Sequence, residues 1–210
     1  MLRGTRIITG IEAKKHTLAI EMLRNAATYL GFQEVILPSI WEQQTFIDKA
    51  GPEIVNQMWA FNDKGNRPVC LIPEVTGLIQ EVWRNEWSKD KKPYRLFYVN
   101  CCYRYERPQA GRYREFTQFG IELLGGSAPD DKETVIEVLK DCLARFDEAY
   151  GLTFIFNESV KRGLSYYVED GFEVECAKLG AQKQIAGGGR YDEGIGWAIG
   201  VDRLLLAIGD

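Results

Sequence analysis

The chain has 210 residues, and its 30 acidic residues outnumber its 26 lysines and arginines, which gives a formal net charge of -4. Hydrophobic residues make up 45% and charged residues 27%, fractions that exclude a disordered, collagen-like or coiled-coil protein. The acidic balance argues against a surface coated with positive charge for nucleic acid, although residues 84–114 hold nine lysines and arginines against three acidic residues.

The composition also bears on the cellular compartment. The first residues lack the apolar core and small-residue cleavage site of a secretory leader, and no stretch approaches the roughly twenty apolar residues that span a bilayer. Five cysteines, an odd number without a C-x-x-C pair, are expected to be reduced. His16 is the single histidine, which leaves too few soft ligands for a structural zinc site. The sequence therefore predicts a cytoplasmic protein outside the membrane.

Apolar residues at helical or alternating spacing predict the elements of the chain in order. In the first half these are a helix at 12–30, a strand at 32–37, hairpin strands at 58–61 and 68–72, and a helix at 74–87. In the second half they are strands at 94–106 and 116–124, a helix at 131–150, strands at 153–156, 166–168, 171–176 and 183–186, and a helix at about 200–208.

Antiparallel hairpins between helices, without alternating βα units, indicate an α+β fold with an antiparallel sheet flanked by helices. No change in composition marks a linker, so residues 1–210 are predicted to form a single domain.

The predicted hairpin at 94–124 concentrates guanidinium groups and aromatic rings. Arg104 and Glu106 are expected on one face of its first strand, since side chains alternate along a strand. Arginines bind phosphate oxygens through two parallel hydrogen bonds, and a ring such as Phe116 can stack on a base, so the hairpin suits a bound nucleotide. Charge alone fits a solvated surface hairpin with cross-strand Arg-Glu pairs equally well.

Two glutamates form a second candidate group. Glu74 follows a predicted strand, and Glu122 shares a strand face with Gln118. A buried carboxylate needs a cationic or hydrogen-bonding partner, which could be the ammonium or imidazole of a ligand. An internal pair with an arginine is the commoner case. The glycines at 187–189 permit close approach of a ligand to the backbone, but a loop or bulge needs glycines too.

Five segments resemble the motifs of one enzyme family, both in their order along the chain and in their amino-acid sequence. They are Gly31 to Pro38, Tyr103 to Glu122 (YRYERPQAGRYREFTQFGIE), Arg162 to Tyr167 (RGLSYY), Gly188 to Asp192 (GGRYD) and Ala198 to Leu206 (AIGVDRLLL). The chain resembles the catalytic core of the class II aminoacyl-tRNA synthetases, and within that class the histidyl-tRNA synthetases. The resemblance covers nearly the whole chain and implies the class II catalytic fold and a homodimer formed through the first motif.

The resemblance implies a role for each matching residue. For ATP it assigns Arg104 to the α-phosphate, Glu106 to the adenine amino group, Phe116 to stacking on adenine, Arg112 to the β- and γ-phosphates and Arg203 to the γ-phosphate. For histidine it assigns Glu74, Thr76, Gln118, Glu122, Arg162, Tyr166, Tyr167 and Tyr191. Arg104 and Arg162 would be catalytic, by stabilising negative charge at the α-phosphate, and Mg²⁺ would bridge the outer phosphates.

The sequence departs from the family pattern at several positions. Ile72 and Val75 replace the usual Arg and Gly around the first glutamate, Ser165 replaces Asp, and Asp202 replaces Glu. Only residues 151–161 stand where family members carry a helical insertion before the RGLSYY segment, and no anticodon-binding domain follows the third motif. A bare catalytic core is therefore expected.

The implied function is ATP-dependent activation of histidine, with transfer to the acceptor end of tRNA(His) or to a smaller acceptor. The alternative is a non-catalytic, histidine-sensing paralogue that resembles the regulatory subunit of ATP phosphoribosyltransferase. The four arginines assigned to phosphate or carboxylate groups favour the enzyme, because a sensor of histidine alone needs no triphosphate site.

Overall fold

The computed structural model describes residues 1–49, 51–90, 93–126, 128, 130–161, 163–180 and 182–209. The helices are α1 (Gly10–Tyr29), α2 (Gln43–Lys49), α3 (Pro52–Gln57), α4 (Thr76–Asn85), α5 (Asp131–Tyr150) and α6 (Val201–Ile208). The strands are β1 (Gln33–Glu34), β2 (Ile40–Glu42), β3 (Trp59–Asn62), β4 (Pro68–Leu71), β5 (Tyr94–Tyr103), β6 (Glu115–Leu124), β7 (Phe154–Val160), β8 (Gly171–Cys176), β9 (Gln184–Tyr191) and β10 (Gly194–Gly200).

A seven-stranded sheet in the order β1-β5-β6-β10-β9-β8-β7 forms the centre of the structure. The pairings from β5 to β7 are antiparallel, and the short edge strand β1 runs parallel to β5. A separate three-stranded sheet has the order β2-β4-β3. The predicted α+β class, an antiparallel sheet flanked by helices, is confirmed, with one parallel pair at the edge.

The two faces of the large sheet pack against different elements. Neighbouring residues of β5 show this, because Phe97 belongs to one apolar cluster and Tyr98 to the other. Helices α1, α5 and α6 cover the Phe97 face, where Leu23, Leu139 and Phe146 are fully buried. Each such side chain stabilises the fold by about 1.5–3 kcal/mol. Elements α2, α4 and β4 cover part of the Tyr98 face and leave the rest open for a cleft.

The strongly periodic segments were predicted within a few residues. The helices predicted at 12–30, 131–150 and 200–208 are α1, α5 and α6, and both predicted hairpins are present as β3-β4 and β5-β6. No helix among the described residues has the length and apolarity needed to cross a bilayer.

Other predictions were wrong or incomplete. Residues 166–168 were predicted as a strand but form a turn and loop, because the two tyrosines there pack sideways into the core instead of pairing in the sheet. The prediction omitted β2, α2, α3 and β10. Strand β10, GIGWAIG, lacks the alternation of a half-buried strand because it lies between β6 and β9 at the middle of the sheet.

Candidate active site

A cleft of about 430 Å³ opens on the Tyr98 face of the seven-stranded sheet. Its walls include these residues from the sequence prediction: Glu74, Thr76, Arg104, Glu106, Arg112, Phe116, Gln118, Tyr166, Tyr167 and Arg203. Glu122 and Tyr191 are buried just below the wall, hydrogen-bonded to each other. Arg162 lies outside the described residues. Residues from three of the five motif-like segments therefore line one cleft, and Tyr191 from a fourth lies just beneath it.

Two buried carboxylates form the floor of this cleft. Glu122 accepts hydrogen bonds from Thr76 Oγ1 at 2.7 Å and from the Tyr191 hydroxyl at 2.6 Å. Glu74 accepts a bond from the Gly77 amide at 2.9 Å and from the Tyr166 hydroxyl at 3.2 Å. Within the described part of the chain neither carboxylate forms an ion pair with Lys or Arg, so hydroxyl and amide donors hold both in place.

The floor is poor in positive charge relative to its acidic groups. Burial raises the pKa of Glu122 from 4.5 to about 8, the hydrogen bonds from Tyr191 and Thr76 oppose this rise, and the neighbouring Glu74 adds to it. Burial likewise raises the pKa of Glu74, against the effects of the Gly77 amide and of Arg104. A cationic ligand would supply the missing charge, because an opposite charge stabilises a buried carboxylate.

A glycine in strand β10 leaves space for the Glu122 carboxylate. Gly196 of β10 is its direct partner in the β6-β10 register. A Cβ at Gly196 would overlap the Glu122 carboxylate and the Ile121 carbonyl oxygen. The glycine therefore lets the carboxylate turn across β10 toward Thr76 and Tyr191.

Three tyrosine rings pack together beside the two buried carboxylates. The Tyr166 and Tyr167 centroids are 4.6 Å apart, and Tyr191 meets Tyr166 edge-on at 6.1 Å. Burial raises the pKa of the Tyr166 and Tyr191 hydroxyls well above 10, so both remain protonated donors. The glycine run at 187–189, interpreted from the sequence either as a place of close approach for a ligand or as a loop or bulge, lies inside β9 and pairs with β10, with Gly189 beside Tyr167.

Arg104 and Phe116 line the same cleft, and the charge of Arg104 acts on the Glu74 carboxylate. The Nε of Arg104 donates to the Pro73 carbonyl oxygen at 2.8 Å, and its guanidinium lies 5.2 Å from the Phe116 ring centroid. Strand β5 ends at Tyr103, so Arg104 and Glu106 belong to the loop after it. The prediction that they continue the strand was wrong, because the backbone bends there and the Tyr105 amide bonds to the Gln57 carbonyl oxygen at 2.7 Å.

Arg112 and Arg203 also line the cleft. Arg112 forms an ion pair with Glu106 within the loop between β5 and β6, whereas the surface-hairpin interpretation expected Arg-Glu pairs between strands. Arg203 donates to the Gln184 carbonyl oxygen at 2.8 Å and to Gln182 Oε1 at 3.0 Å. Burial and the charge of Arg112 lower the pKa of Arg203, so the two cations repel each other. An anionic ligand would relieve this repulsion.

Further residues at the rim escaped the sequence prediction. Glu53 and Gln57 come from α3, which was not predicted, and Glu173 and Gln184 come from strands whose polar positions gave no signal. Among the described residues no three His, Cys, Asp or Glu side chains converge in a way that could hold a metal ion.

Glu122→Gln is expected to reduce the pH dependence of stability. The raised pKa means that the folded chain binds more protons than the unfolded chain between pH 4.5 and about 8. The stability of the ligand-free protein should therefore fall as pH rises through this interval, and less steeply in the variant. Thermal unfolding at pH 5, 6.5 and 8 measures this slope. Glu148→Gln, on the exposed side of α5, is the matched control, and equal slopes in all three proteins would contradict the assignment.

Comparison with known proteins gives consistent matches. A family profile described as histidyl-tRNA synthetase matches residues 4–159. The chain is 35% identical to a histidine-tRNA ligase of Methanosarcina acetivorans over 88% of this chain and 45% of that protein. It is 27% identical to that of Clostridioides difficile over 98% of this chain and 74% of that protein, in an alignment of 309 positions that exceeds the length of this chain.

A solved structure from Bacillus halodurans, described as an ATP phosphoribosyltransferase regulatory subunit/histidyl-tRNA synthetase, superimposes with a TM-score of 0.84. The two sequences are 16% identical, and the match covers 100% of this chain and 83% of that one. Likeness at this identity supports the fold described above.

Proposed function

The chain belongs to the histidyl-tRNA synthetase family, and we propose that it activates histidine with ATP to form histidyl-adenylate and pyrophosphate. One observation carries the proposal, namely that two buried carboxylates, Glu74 and Glu122, and three arginines, Arg104, Arg112 and Arg203, meet at the same cleft. A cationic amino acid and a polyanionic nucleotide are the pair of ligands whose charges such a cleft complements.

The carboxylate floor would select histidine. Its ammonium and imidazole groups offer the positive charge that the hydroxyl and amide donors around Glu74 and Glu122 do not supply. An analogue without these groups would leave a buried carboxylate without a charged partner, which favours strong discrimination. The donors already present, Thr76, Tyr166 and Tyr191, keep the two acids oriented before the ligand arrives.

The arginines would serve the phosphates. When the histidine carboxylate attacks the α-phosphorus, a carboxylate–phosphorus bond forms and the bond to pyrophosphate breaks. Negative charge then grows on the α-phosphate oxygens and on the leaving group. Arg104, held by Pro73 and Phe116, would stabilise the first, and Arg112 with Arg203 the second. The proposed role of Arg162 lies outside the described residues. Mg²⁺ would arrive with ATP as part of the substrate.

Histidine-dependent ATP–pyrophosphate exchange, measured with each of the twenty amino acids, tests this function. Exchange is expected with histidine and at least about a hundredfold less with any other amino acid, since a site built to hydrogen-bond its substrate rejects those lacking the partners. Removal of Mg²⁺ by chelation should abolish exchange. Absence of histidine-dependent exchange in a protein that binds ATP would contradict the proposal.

A histidine sensor without catalysis is the second candidate. The similarity to the Bacillus halodurans structure supports this candidate, because that protein is described both as an ATP phosphoribosyltransferase regulatory subunit and as a histidyl-tRNA synthetase. It would bind histidine on the same floor, fail to exchange pyrophosphate and associate with a catalytic partner subunit. Calorimetric titration with histidine and with ATP separates the two, because the proposed enzyme needs both ligands and the sensor only one.

The remaining partners are proposed from the family. The acceptor of the activated histidine would be the 3′ end of tRNA(His), as the names of the relatives indicate. A homodimer would cover apolar side chains that are exposed in one chain, among them Tyr29 at 84% and Ile36 at 91% exposure. We place this activity in the cytoplasm.

A further inference from the structure

Residues 3–6, here called the strap, lie across the loop at residues 104–114 that joins β5 to β6. The Arg114 amide donates to the Gly4 carbonyl oxygen at 2.8 Å, and Arg114 Nη1 donates to the Arg3 carbonyl oxygen at 3.2 Å. Gly4 has a φ of 85°, and a Cβ there would lie 2.7 Å from Arg114 Cγ and 2.9 Å from Pro108 Cγ. The strap backbone is therefore packed directly on the outside of the loop.

Arg6 links this loop to helix α6. Its guanidinium lies 3.9 Å from the centroid of the Tyr113 ring and forms an ion pair with Asp202 in the first turn of α6. Asp202 is only 4% exposed, and its other oxygen accepts the Thr117 amide at 2.7 Å. A buried carboxylate in this position requires a charged partner, and Arg6 is the one cation paired with it among the described residues.

The two ends of this link adjoin the phosphate-facing arginines. Arg112 precedes Tyr113, and Arg203 follows Asp202. Arg203 Nε also donates to the Gly111 carbonyl oxygen at 3.4 Å, and Glu106, which is ion-paired with Arg112, offsets part of the repulsion between Arg112 and Arg203. The Arg6 contacts join the same loop and helix through Tyr113 and Asp202.

We propose that Arg6 is a positioning residue for the nucleotide. Through Tyr113 and Asp202 it holds Arg112 and Arg203 at the cleft before a triphosphate binds, so that binding does not have to order the loop. The inference rests on the proposed function for the identity of the ligand as ATP. Preorganisation of this kind acts on nucleotide affinity and leaves the carboxylates Glu74 and Glu122, which Arg6 does not contact through any ion pair or hydrogen bond among the described residues, unchanged.

The test compares Arg6→Ala with Arg6→Lys and with Arg3→Ala. Arg6→Ala is expected to raise the KM for ATP about tenfold, the effect of an ordering cost near that of one or two side chains, while the KM for histidine changes less than about twofold. Arg6→Lys should recover part of the loss, because an ammonium neutralises Asp202 but cannot stack as a planar group on Tyr113. Arg3, whose side chain is exposed, should be neutral when replaced.

Hydrogen–deuterium exchange of the ligand-free proteins supplies the second readout. Arg6→Ala should lose protection at residues 104–114 and keep it in α5. Equal ATP KM values for Arg6→Ala and Arg3→Ala, or a parallel rise in both KM values with loss of protection throughout the sheet, would overturn the proposal. If the wild-type protein shows no exchange of pyrophosphate, the proposed function fails, and loop protection together with calorimetric ATP affinity still decides the role of Arg6.

Discussion

Arg104→Ala is expected to lower histidine-dependent ATP–pyrophosphate exchange by about 100- to 1,000-fold, or about 2.7–4 kcal/mol, the range for removing one preorganised donor from a developing oxyanion. The Arg104 guanidinium is fixed by the Pro73 carbonyl oxygen and packs on Phe116, and no other hydrogen bond engages it within the described residues. It is thus oriented in advance, with donors left for a ligand. The loss should appear in kcat as well as in kcat/KM, because the charge it meets grows during the reaction.

Stability must be measured beside activity in this variant. Arg104 is only partly buried and its side chain makes one hydrogen bond among the described residues, so the free energy of unfolding should fall by no more than about 1.5 kcal/mol. Arg145→Ala, an exposed arginine of α5, serves as the matched control and should retain full activity. Exchange within tenfold of wild type in a folded Arg104→Ala protein would remove Arg104 from the reaction.

Gly196→Ala is expected to destabilise the protein by about 3 kcal/mol and to raise the KM for histidine at least about tenfold, as an added methyl group in a closely packed core forces its neighbours to move. The methyl would overlap the Glu122 carboxylate and the Ile121 carbonyl oxygen. Relief requires Glu122 to leave its bonds with Thr76 and Tyr191, so stability and histidine binding should fail together. Chemical denaturation and the exchange assay measure the two effects.

A double variant distinguishes this cause from general damage to the sheet. In the background Glu122→Ala, the substitution Gly196→Ala should be less destabilising, because the overlap with the Glu122 carboxylate is removed while that with the Ile121 carbonyl oxygen remains. Gly180→Ala is the matched control, since a Cβ at Gly180 meets no atom within 4 Å. Additive losses in the double variant would show that the overlap with Glu122 is not the cause.

Local patterns explain which parts of the fold could be predicted. Helix α5 was predicted with its exact bounds because its apolar positions recur on one face of a regular helix, a property of neighbouring residues alone. Strand β10 was missed because its glycines are selected by contacts with strands β6 and β9, which are distant in sequence. Residues 166–168 were predicted as a strand because tyrosine is common in strands. Tyr166 instead packs against the rings of Tyr167 and Tyr191 beside the cleft.

The candidate site shows the same division. The basic residues after β5 and the glutamates were visible as residue types, but the sequence left open whether they formed surface pairs, internal pairs or a ligand site. The resemblance to a family favoured the ligand site and implied a role for each of these residues. Contacts such as Gln57 with Tyr105 and Arg6 with Asp202 had no signal in any local pattern.

The sequence by itself determined the periodic helices, the hairpins, the α+β class and the family, because each depends on short segments read one at a time. Only the tertiary structure decided that Thr76 and Glu122, 46 residues apart, share a hydrogen bond, and that Gly196 is the position that makes room for it. It also decided that residues 3–6 reach the loop beside the arginines. The physical reason is that packing and charge pairing act between side chains that folding brings together, whatever their separation along the chain.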